Sequence, residues 1–148
     1  MGNGVIGLMA NSTVCEKPSI SRRMTHVGQF IAIVDDDPAV LRALKRLLSA
    51  RSYRIETYGS AHQFLASLHD RLPECLIVDQ QMPEMTGLDL QKRLTRSGIK
   101  IPTIIITAYD EVGMRERCKS AGAIAFLSKP LQESALLAAI DDAKTLGS

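Results

Sequence analysis

With 148 residues, 45% of them hydrophobic and 23% charged, the chain has the size and balance of one globular domain that needs no disulfide or structural metal to bury a core. Its formal charge of +2 arises in the first 28 residues, where Lys17, Arg22 and Arg23 face only Glu16; from Gln29 onward 15 basic and 15 acidic residues cancel. Such a neutral body lacks the phosphate-neutralising surface that nucleic-acid binding requires, which argues against direct DNA contact by this chain. Cys15, Cys75 and Cys118 are odd in number, far apart and without a CxxC pair, so a reduced cytoplasm suits them better than a disulfide framework or a zinc site. No apolar run approaches the about 18–20 residues that span a bilayer.

Residues 1–28 are rich in Gly, Asn, Ser and Thr without periodicity and read as a flexible N-terminal extension. Within them Gly2-Asn3-Gly4-Val5-Ile6-Gly7 matches GxGxxG, but no strand precedes it, so it is not read as a nucleotide fingerprint. The regular body begins at Phe30. Phe30–Val34 is a short continuous apolar run, as expected of a strand buried on both faces. Asp37 then serves as N-cap with Pro38 behind it, opening a helix whose apolar side carries Val40, Leu41, Leu44, Leu47 and Leu48.

Tyr53–Tyr58 alternates polar and apolar residues, which suits an edge strand. Ser60 with Gln63 predicts a capping box before the Phe64, Leu65, Leu68 stripe. Cys75–Val78 is the next buried strand, followed by Asp79, a loop, and a helix opened by Thr86 with Leu90 and Leu94 inward. Pro102–Ile106 is a further strand, with a helix predicted near 111–120. Ile124–Leu127 closes the series before Lys129-Pro130, and a last helix turns Leu136, Leu137 and Ile140 inward. Five strand–helix units make an α/β fold, a parallel sheet with helices on both faces.

In such sheets function lies in the crevice beyond the carboxyl ends of the strands. The residues that follow each apolar run are therefore the candidates: Asp35, Asp36 and Asp37, then Asp79, then Thr107, then Lys129. Crowded carboxylates repel, so one takes a proton or a cation intervenes. An oxygen-only donor set favours a hard ion, Mg²⁺ first, which keeps waters that a phosphoryl oxygen can replace. A carboxylate beside Mg²⁺ and a lysine is a suitable nucleophile towards phosphorus, which points to reversible phosphorylation of an aspartate. Asp37 reads as a helix cap rather than a ligand. Phe126, an aromatic in a short strand, reads as core. His26, His62 and His69 have no ligand spacing, and Arg42/Lys45/Arg46, Lys92/Arg93/Arg96 and Arg115/Arg117/Lys119 read as solvated helix faces.

From about Gln29 to Ala143 the chain resembles the receiver domain of bacterial two-component response regulators. The resemblance rests on Val34-Asp35-Asp36-Asp37, on Asp79 followed by Met82-Pro83 and Gly87, on Thr107-Ala108 and on Lys129-Pro130. Asp-Pro after the acidic pair and the ending Phe126-Leu127-Ser128-Lys129-Pro130 are most similar to FixJ-type receivers. It implies a CheY-like sheet of order 2-1-3-4-5, a receiver over residues 29–146, and a cis peptide at Lys129-Pro130.

It implies that Asp79 is the phosphoacceptor for a phosphohistidine on a sensor histidine kinase or phosphotransfer protein, with Asp35, Asp36, Asp79 and the Gln81 carbonyl holding Mg²⁺. Lys129 would pair with Asp79, while Thr107 and Phe126 would move as the switch. The output would go to a downstream partner or to an output domain absent from this chain, with a phosphorylation-dependent homodimer formed through the helix after Thr107, the strand carrying Phe126 and the final helix. Two other readings remain at this point. An aspartyl-nucleophile phosphatase would want Asp-x-Asp, where Gln80 and Gln81 stand. A receiver-shaped interaction module would never accept phosphate.

Overall fold

The computed structural model describes residues 29–147. The extension 1–28, with its GxGxxG pattern, Cys15 and His26, lies outside the described residues. The elements alternate as β1 (Ile31–Val34), α1 (Pro38–Ser49), β2 (Ile55–Tyr58), α2 (Ala61–Ala66), β3 (Cys75–Asp79), α3 (Gly87–Arg96), β4 (Thr103–Thr107), α4 (Met114–Ser120), β5 (Ala125–Ser128) and α5 (Glu133–Gly147). All strand pairs are parallel and the order is β2-β1-β3-β4-β5, as the resemblance implied.

The side-chain alternation of the strands divides the core in two. Ile31 and Ile33 of β1, Cys75 and Ile77 of β3, and Ile104 and Ile106 of β4 pack with Leu44 and Leu48 of α1 and with Leu136, Ala139, Ile140 and Ala143 of α5. On the other face, Ala32, Val34, Leu76, Val78, Ile105 and Phe126 pack against Phe64 of α2, Leu90 and Leu94 of α3, and Met114 and Cys118 of α4. Because β1, β3 and β4 are covered on both sides, their residues form unbroken buried runs. Cys75 is fully buried, and desolvation pushes its thiol up to about 12.

Local chemistry sets the boundaries. Asp37 caps α1 as expected, its carboxylate accepting from the Ala39 N–H at 2.9 Å. At α2 only half of the expected capping box forms. Ser60 Oγ accepts from the Gln63 N–H, but Gln63 Oε1 takes the N–H of Gly59 instead of that of Ser60. Leu68 falls in a 3-10 turn, Ser67–His69, after α2 has ended. α3 has a full box between Thr86 and Asp89. α4 starts at Met114, later than the sequence pattern predicted, because Gly113 sits at φ 83 and no side chain caps the turn. A helix continued back to residue 111 would have to pass through that left-handed residue.

Candidate phosphoacceptor site

The register brings the candidates to one end of the sheet. Val34 pairs with Val78, so Asp35 and Asp79 leave adjacent strands side by side. Asp79 pairs with Ile106, and the Gln80 N–H donates to the Ile106 carbonyl at 2.7 Å, carrying the ladder one residue past Asp79. Thr107 pairs with Ser128, and its carbonyl accepts the Lys129 N–H at 2.8 Å. The Lys129-Pro130 peptide is cis.

Asp35, Asp36 and Asp79 each offer an oxygen within 4.8 Å of the others. Asp35 and Asp79 are only 4% and 5% exposed, whereas Asp36 faces solvent. Lys129 Nζ lies 3.1 Å from Asp79 Oδ1 and 3.7 Å from Asp35 Oδ2. Asp35 Oδ1 also accepts the Asp37 N–H at 2.9 Å. Asp79 Oδ1 is buried, and the Lys129 ammonium is the cationic group beside it.

Burial, and then the charge of Asp35, raise the pKa of Asp79 above the ordinary carboxylate value; burial does the same to Asp35. For Lys129, burial pulls downward, but its contacts with Asp79 and Asp35 outweigh it and the ammonium is held above its usual value. Three carboxylates gathered around one ammonium, two of them buried, are a good fit for a hard divalent cation, since oxygen is the only ligand atom they offer.

Gly87 explains the glycine of the loop motif. A Cβ there would come within 2.9 Å of the Asp79 carbonyl oxygen and 3.2 Å of Gln80 Cα, so α3 can start against the end of β3 only with glycine. Gln80 Oε1 accepts the Leu88 N–H at 2.8 Å and fastens the same junction. Thr107 is fully buried, and its hydroxyl bonds to Gln81 and Tyr109 rather than to the acidic group. Phe126 is 4% exposed, with the Arg115 guanidinium 5.0 Å above its ring and donating to its carbonyl. His62, His69 and the three basic sets named above lie on the surface.

The match to the response regulator receiver domain family extends over residues 31–141. The chain belongs to that family. It is 43% identical over 125 residues to the response regulator protein TmoT of Ectopseudomonas mendocina, covering 84% of this chain and 57% of TmoT. It is 34% identical over 113 residues to the transcriptional regulatory protein FixJ of Rhizobium meliloti, covering 76% of this chain and 55% of FixJ. The crystal structure of FixJ-N superposes with a TM-score of 0.74 at 32% identity, over 79% of this chain and 94% of that one. The receiver thus spans about half the length of the curated relatives it matches. Receiver domains bind Mg²⁺ in an acidic pocket, and Asp35, Asp36 and Asp79 form such a cluster here. As a class they are not turnover enzymes. Among the described residues no helix is long and apolar enough to cross a membrane.

Proposed function

We propose that this receiver, residues 29–146, works in the cytoplasm and accepts a phosphoryl group on Asp79 from a phosphohistidine of a sensor histidine kinase or phosphotransfer protein. The observation that carries the reading is Asp79 itself, buried at the end of β3 with its Oδ1 3.1 Å from the Lys129 ammonium and two further carboxylates beside it. An Asp79 oxygen attacks phosphorus, the P–N bond breaks, and its electron pair stays on the imidazole. Asp35, Asp36, Asp79 and the Gln81 carbonyl are the proposed Mg²⁺ ligands; the bound ion supplies charge neutralisation for the carboxylates and the phosphoryl oxygens. Lys129 holds the carboxylate in place and then balances the new charge, with Thr107 and Phe126 as the responding pair.

The chain catalyses only its own modification. Its output passes through the face of α4, β5 and α5, by phosphorylation-dependent homodimerisation, to a partner or a further domain. That FixJ is named a transcriptional regulatory protein supports transcription as the process controlled.

Intact-mass measurement after incubation with an acyl phosphate tests this. The expected result is one Mg²⁺-dependent phosphoryl group on the wild type and none on Asp79→Asn. A wild type that binds Mg²⁺ but is never modified, by small donors or by kinases, would reduce the site to a binding surface.

A further inference from the structure

The end of β4 carries two groups suited to a phosphoryl oxygen, the Thr107 hydroxyl and the N–H of Ala108 just beyond it, and both are already taken. Gln81, two residues beyond Asp79, spans them with one side chain. Its Nε2 donates to Thr107 Oγ1 at 2.7 Å and its Oε1 accepts the Ala108 N–H at 2.9 Å. Thr107 Oγ1 also donates to the Tyr109 carbonyl at 2.8 Å and accepts the Tyr109 N–H at 3.1 Å. A hydroxyl offers one proton and two lone pairs, so Thr107 has no capacity left. The amide orientation is fixed from both ends, because the Ala108 N–H can bond only an acceptor.

Building on the reading of Asp79 as phosphoacceptor, we infer that the Gln81 side chain is an internal competitor of the phosphoryl group, a positioning residue that latches the β4–α4 loop in its unmodified arrangement. Its amide oxygen receives the N–H that a phosphoryl oxygen would receive, and its amide nitrogen holds the hydroxyl in the Tyr109-bonded position. Phosphorylation then has to displace both bonds before Thr107 and Ala108 can turn to the new group. The latch therefore weakens the phosphorylated arrangement and keeps the resting chain off.

Beryllofluoride, a noncovalent mimic of the aspartyl phosphate, tests this directly when titrated at saturating Mg²⁺ and followed by fluorine NMR. Gln81→Leu, which fills similar volume without bonding, and Gln81→Ala are both expected to bind the mimic about tenfold more tightly than the wild type. In a Thr107→Val background the gain is expected to shrink to about threefold, one of the two bonds having been lost already. General damage to the fold would loosen binding, so tightening distinguishes a latch from a structural part. Unchanged or weaker binding in both Gln81 variants, beside a wild type that binds, overturns the latch. Failure of the wild type and of both variants to take up the mimic overturns the phosphoacceptor reading instead.

Discussion

The two faces of the sheet are built differently. On one, α1 and α5 are long, 12 and 15 residues, and the buried core side chains are aliphatic apart from Cys75. On the other, α2 and α4 have 6 and 7 residues, and Phe64, Met82, Met114 and Phe126 share the space with polar ties. Gln91 Nε2 and Thr95 Oγ1 of α3 both donate to the Ala121 carbonyl at the end of α4, while the buried Gln91 Oε1 has no partner. Long helices on branched aliphatic side chains make a stiff platform. A short uncapped helix held by side-chain hydrogen bonds opens at lower cost. The contrast teaches where the proposed switch has room to act: movement following phosphorylation of Asp79 is expected on the α4 side, against the α1/α5 side as frame.

The largest expected effect probes the frame. Leu136→Ala removes a fully buried side chain and is expected to cost about 2–5 kcal/mol in urea unfolding. Met114→Ala, under α4, should lie nearer the lower end of that range because the short helix can settle into the gap. Equal losses would break the contrast.

Next comes the hinge of the softer face. Gly122 has φ 108, and a Cβ there would stand 2.9 Å from Gln91 Nε2. Gly122→Ala should cost about 1–2 kcal/mol and speed hydrogen exchange in α4 more than in α5. A uniform rise across both helices would show that the faces open together.

The smallest effect is electrostatic. Asp35 and Asp79 have folded-state pKa values raised by burial, so without metal the folded chain binds more protons than the unfolded one. Their contribution to stability is complete below the ordinary carboxylate pKa and is lost as pH rises through the raised values. Asp35→Asn should raise Tm by a few degrees in Mg²⁺-free buffer at pH 7, with the gain vanishing towards pH 4. A gain of equal size at both pH values would locate its cause elsewhere.

Much of this was legible in the sequence, for a physical reason. Strands covered on both faces are near-continuous apolar runs, so Ile31–Val34, Cys75–Val78 and Ile104–Ile106 stand out, and the polar residues after them mark the crevice. Capping chemistry is equally local, which is why Asp37 and Thr86 read correctly. The delayed start of α4 was not legible, since Gly113 announces its left-handed backbone only in place. Nor was the role of the Gln81 side chain. Its partners lie 26 and 27 residues away in sequence, and the two loops meet only once β3 and β4 have paired.

The site also has an order of assembly. Asp35 and Asp79 are synthesised before Lys129, which arrives with β5, the last strand made and an edge of the sheet. Until that strand leaves the ribosome, β4 is an open edge and the buried carboxylates have no ammonium. The fifth strand–helix unit therefore covers the β4 edge and brings the counter-charge in one step, so a stalled or truncated chain lacking it would be both sticky and self-repelling.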